Sequence, residues 1–214
     1  MPDNQPTLRT KEGERTLLSA LLLSAPGPAI ISYAALVSGS AAQMADFLRR
    51  TSELVATFAS FLIYRKLRKH PDEEGARAKR LERLCSDMVA AAMCISAIAL
   101  IVVGIVRLLS EKPSAKTPFG LVIAALGLVV NVWFWRKYRA MNKNQPDAVV
   151  AAQQQLYRGK ASVDLCIVAA LAMVTFAPFS PFARYADAFG SIAVAVYLLY
   201  SGINVYRKAR AAEA

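Results

Sequence analysis

Six stretches of this chain are apolar for about the length of a membrane-spanning helix: roughly 17–37, 41–64, 86–106, 118–135, 160–178 and 186–206. A spanning helix needs ~20 mostly apolar residues, and every backbone polar group inside lipid must be satisfied within the protein. Six such runs in 214 residues leave little chain for anything else. The composition agrees: 56% of residues are hydrophobic and 19% charged, against roughly 45–50% and about 25% in soluble domains. Disorder is excluded, because a disordered chain is poor in apolar residues. A disulfide scaffold is excluded too, since there are only three cysteines, without paired spacing. The first run is not a cleaved signal peptide, because a polar stretch precedes it and no small-residue cleavage site follows. The expectation is an all-α fold, a six-span transmembrane helical bundle. Residues 1–16 form a cytoplasmic segment, 17–208 the membrane domain and 209–214 a cytoplasmic tail.

The net charge of +11 would suit nucleic acid, but its distribution does not. Of the 26 Lys and Arg residues, 20 fall in 1–16, 65–84, 136–160 and the tail, and 4 in the alternate connections. Short cytoplasmic loops hold the excess of Lys and Arg in membrane proteins. Both termini are therefore expected in the cytoplasm, in what would be a bacterial inner membrane, and no nucleic-acid partner is expected. The partner is the lipid bilayer, and the basic loops can touch anionic headgroups.

The second span carries Asp46, Arg49, Arg50 and Glu53 in its first half. Ionisable residues inside a bilayer are costly and normally face a bundle interior or a watery cavity. Spacings of three and four put these four on overlapping helix faces, so they could also neutralise one another within the helix. Pro26-Gly27-Pro28 should bend the first span, and Ser38-Gly39-Ser40 should turn it tightly into the second. His70, the only histidine, reads as a solvated loop residue. Helix five is expected to start near Pro146, before its span, and carries Lys160 and Asp164 four residues apart. Trp133, Trp135, Tyr138, Tyr200 and Tyr206 fall where interfacial aromatic belts belong. Cys85, Cys94 and Cys166 lack metal-ligand spacing and read as packing residues. No Walker loop, Gly-x-Ser-x-Gly, His-Glu-x-x-His or Cys-x-x-Cys is present, so no enzyme is expected.

Four segments in order, SGSAAQMADFLRRTSELVA, LERLCSDMVAA, LYRGKASVDLCIVAA and YADAFGSIAVAVYLLYSG, resemble the starts of spans two, three, five and six in the cation diffusion facilitator family. The resemblance covers about residues 14–208. It implies a dimeric six-span exporter of divalent metals. In that family two ligand pairs, His-x-x-x-Asp or Asp-x-x-x-Asp, lie on spans two and five. By resemblance the pairs fall on Arg49 and Glu53 and on Lys160 and Asp164, with Asp46 and Asp187 as possible accessories. The sequence departs from the family here, because protonated Arg and Lys have no lone pair for a metal. Only Glu53 and Asp164 remain as metal ligands, and the four charges sum to zero. The span limits also place the two pairs a turn or two out of level. With the sequence ending at Ala214, the cytoplasmic metal-binding domain usual in the family is not expected.

Three readings stay open. The first is a transporter exchanging a divalent cation, such as zinc, for protons, with no cofactor and as a homodimer. The second is a structural or regulatory membrane subunit in which salt bridges replace the metal site. The third is a transporter of an anion held by Arg49 and Lys160. The altered site is expected to pair Arg49 with Asp164 and Lys160 with Glu53, or to take the crossed arrangement, Arg49 with Glu53 and Lys160 with Asp164.

Overall fold

The computed structural model describes residues 11–29, 32, 41–69, 75–109, 118–176 and 181–211. Six helices follow one another: α1 (Lys11–Ser24), α2 (Ala41–Lys69), α3 (Ala76–Leu109), α4 (Pro118–Asn144), α5 (Ala148–Phe176) and α6 (Pro181–Ala211). No strand occurs among the described residues. His70 and the Ser38-Gly39-Ser40 connection lie outside them.

Helix boundaries follow local chemistry. α1 stops at Ser24, two residues before Pro26, whose ring cannot donate to a preceding turn. Ala25 closes that last turn with a 2.9 Å bond from its N–H to the Leu21 carbonyl, and residues 26–29 resume a short helical turn. The proline pair thus ends the first helix where the sequence had suggested only a bend. Gly75 enters α3 with φ of 147°, a conformation that side-chain-bearing residues resist. At the start of α5, Asp147 Oδ1 accepts from the N–H groups of Val149 and Val150 at 2.9 and 3.1 Å. That is an N-cap satisfying two orphan donors. α5 begins about three turns before the expected span, because Pro146 and Asp147 are strong start signals.

α3 packs along both α2 and α6, α4 pairs with α5, and α5 reaches α2, α3 and α6. The α3–α6 seam is close enough that a Cβ on Gly202 would sit 3.1 Å from the Ala90 carbonyl oxygen. Small residues permit this approach between helices. α1 docks on α2 through Gly13 against the Tyr64 ring and through Glu14 with Arg65 and Arg68.

Outward faces carry Leu62, Ile98, Leu126, Val129, Val196 and Ile203, each roughly half exposed or more. On length and composition alone, only Ala76–Val106 among the described residues suits a membrane crossing. In α2, Arg49, Arg50, Glu53 and the basic residues from Arg65 interrupt the apolar run.

The aromatic expectation needs one correction. Trp133 and Tyr200 face outward, but Tyr138 is fully buried. Its ring lies 5.4 Å from that of Tyr157 and 6.2 Å from that of Phe134. The α4–α5 pairing turns it inward, so it belongs to the core and not to an interfacial belt. Cys85 is buried against Ser60, their side-chain atoms 3.1 Å apart, and none of the three cysteines forms a disulfide among the described residues.

Candidate transport site

α2 turns one polar face inward. Asp46, Arg49, Glu53, Thr57 and Ser60 recur at three- and four-residue intervals, which stacks them along a helix. Arg49 is 3% exposed and Glu53 6%. Thr57 and Ser60 are buried as well, and each donates its hydroxyl to the carbonyl four residues back. α5 presents a matching row, Gln153, Tyr157, Lys160 and Asp164. Gln153 donates to Ser60 Oγ at 2.7 Å, fixing the register of the two helices.

The charges meet in the middle of this seam. Arg49 holds two acids on its own helix, Asp46 at 2.7 Å and Glu53 at 3.3 Å. Asp46 also binds Arg50 at 3.0 Å. Glu53 reaches off the helix: its Oε1 accepts from Ser96 of α3 at 3.0 Å, and its Oε2 lies 3.7 Å from Lys160 Nζ. Lys160 is 7% exposed, with its ammonium 4.7 Å from the centre of the Tyr157 ring. That geometry adds a cation–π attraction to the ion pair. Tyr157 in turn ties α1 to the site, with its hydroxyl 3.3 Å from Ser24 Oγ.

Asp164 is held differently. Asn131 of α4 donates to its Oδ2 at 2.6 Å. The expected Arg49–Asp164 ion pair does not form among the described residues. Arg49 is already saturated by acids on its own helix, three and four residues away. The Lys160–Glu53 pair is present, and of the crossed arrangement Arg49–Glu53 forms while Lys160–Asp164 does not among the described residues. The two pairs are not out of level either, because the early start of α5 brings Lys160 beside Glu53. Asp187 lies on α6, but its side chain is outside what the structure describes.

Arg49, Glu53, Asn131, Lys160 and Asp164 line one cavity of about 490 Å³, together with Gly27 and Pro28. With Asp46 and Arg50 the cluster holds three cations and three anions, and so carries no net charge. Among the described residues no three His, Cys, Asp or Glu side chains gather as a metal cage would require.

The cation efflux transmembrane domain, as a sequence family, matches residues 18–212, nearly the whole chain. The chain belongs to the cation efflux family. It is an integral membrane protein of a transporter family rather than an enzyme family, and the all-helical bundle is the fold expected of that membrane domain. No curated protein matches the sequence.

Ser96, Asn131, Thr57, Ser60 and Gln153 escaped the reading of the sequence. For α2 a signal existed, since the charged spacing continues through Thr57 and Ser60 into the apolar half. Ser96 and Asn131 sit singly in apolar runs on other helices, and nothing local marks their partners.

Proposed function

We propose that this cation efflux protein exchanges a divalent cation for protons, with Glu53 and Asp164 as the carboxylates that meet the cation. The observation that carries this reading is Lys160, whose ammonium lies 3.7 Å from Glu53 in the cavity that also holds Asp164. A protonated lysine has three donors and no lone pair. Lysine can give up its proton, whereas arginine does not do so in proteins. An unprotonated amine at this position is a nitrogen donor beside Glu53, in the cavity that Asp164 also lines. Proton and divalent cation therefore compete for one place. With the lysine protonated the cluster is neutral. With the proton gone and a divalent ion bound, the cluster gains a single positive charge. Arg49 keeps its charge and positions Glu53 rather than binding substrate. The Lys and Arg asymmetry of the connections supports cytoplasmic termini in a bacterial inner membrane, and the family resemblance supports a homodimer.

The test is proton movement in liposomes. Protein is reconstituted with a pH-sensitive dye inside, and zinc, manganese, cobalt or iron(II) is added outside. Alkalinisation of the lumen by at least one of these ions is expected, with loss in Glu53→Gln and Asp164→Asn. Silence with all four ions overturns the exchange reading.

A second reading draws on Arg49, which is buried and bonded to acids at both ends. In a structural or regulatory subunit such salt bridges replace the metal site outright. That reading expects no ion flux from the parent chain and no zinc affinity by calorimetry. It also expects zinc affinity to arise in the combined Arg49→His and Lys160→His variant.

A further inference from the structure

A second cavity, of about 590 Å³, lies away from the charged seam, between the N-terminal halves of α3 and α5 and the C-terminal half of α6. Lys79, Arg83, Arg158 and Lys208 line it, against a single acid, Glu82. Arg83 lies 3.9 Å from Asp87. Lys79, Arg158 and Lys208 make no ion pair among the described residues. The guanidinium of Arg158 is 5.7 Å from the centre of the Tyr197 ring. The Tyr197 hydroxyl is buried and has no hydrogen-bond partner. A buried hydroxyl without a partner is costly, and its orphaned capacity points to a polar group that completes it.

The cavity has a second character. Alanines of α5, including Ala148 and Ala151, form an apolar wall. Tyr200, 68% exposed, stands at its edge, and Val196 and Ile203 continue the same outward apolar face of α6. A cluster of cations beside an apolar face open to lipid matches a molecule with an anionic head and hydrocarbon tails. Free phosphate would use the cations alone and leave the apolar wall uncovered.

We infer that this cavity binds the headgroup of an anionic phospholipid, with Arg158 and Lys208 on the phosphate and Tyr197 hydrogen-bonded to it. Basic pockets between spanning helices are a general means of holding such headgroups. The inference rests on the chain being a membrane protein and is independent of whether Lys160 yields to a substrate.

Native mass spectrometry of the full chain, released from detergent, tests it. The probes are phosphatidylglycerol, phosphatidylcholine and inorganic phosphate. One phosphatidylglycerol should stay bound per chain, about tenfold tighter than phosphatidylcholine. The double change Arg158→Gln with Lys208→Gln should weaken it about tenfold, while Lys66→Gln with Lys69→Gln on α2 should leave it within about twofold. Tyr197→Phe, which keeps the ring and removes only the hydroxyl, should weaken it with an unaltered unfolding midpoint. Equal retention of the two lipids overturns the inference. So does an equal effect of the α2 variant, or displacement of the lipid by equimolar inorganic phosphate.

Discussion

Glu53 is the residue whose charge most of the buried seam depends on. It faces Arg49 at 3.3 Å and Lys160 at 3.7 Å. At an effective dielectric constant of ~20, each attraction is worth about 4–5 kcal/mol before desolvation is subtracted. Arg49 keeps Asp46 if Glu53 is neutralised, but Lys160 has no second acid within ion-pair distance among the described residues. Glu53→Gln preserves shape and can still accept from Ser96, so it isolates the charge. It strands a buried ammonium, and breaking a buried pair in this way costs ~3–5 kcal/mol. Lys160→Met leaves Glu53 bonded to Arg49 and Ser96 and should cost less. In the double variant the stranded ammonium is gone, so it should be more stable than Glu53→Gln alone, with a coupling of ~1–3 kcal/mol. Unfolding by a denaturing detergent, followed by fluorescence of Trp133 and Trp135 on α4, would measure all three. Strict additivity of the two single changes would refute the argument, because it would mean that the lysine and the glutamate do not depend on each other.

Gly202→Val should lower stability by ~1–3 kcal/mol through overpacking, since its first side-chain carbon already meets the Ala90 carbonyl at 3.1 Å; the same detergent titration reads it. Asp147→Ala should cost ~0.5–2 kcal/mol by uncapping α5, and Asp147→Asn should recover most of that loss. Cysteine placed at Glu73 should be labelled only after the membrane is opened, and cysteine at Ser114 from outside intact cells; labelling at 73 in intact cells would reverse the topology. Cross-linking in native membranes should trap a dimer across a range of protein-to-lipid ratios, and a strictly monomeric chain would exclude the homodimer.

Much of this protein is written in its sequence because membrane helices are local objects. Apolar run length and the Asp147 cap act within a few residues, and α2 to α6 lie on the runs they mark, whereas the proline pair ends α1 at Ser24 instead of bending it. Spacing within one helix is equally local, so Asp46, Arg49 and Glu53 could be placed on one face from their numbers alone. What crosses between helices is not local. Lys160 meets Glu53 only because α5 starts at Ala148 and Gln153 locks its register to Ser60. Arg49 misses Asp164 because nearer acids on its own helix satisfy it first, leaving Asp164 to Asn131. Tyr138 turns inward because α4 packs against α5, a contact between residues some twenty positions apart that no periodicity records. The sequence by itself determined which segments become helices and which faces are charged. The tertiary structure decided which charges are partners, because that depends on the relative height and rotation of whole helices, which are fixed only when their side chains pack.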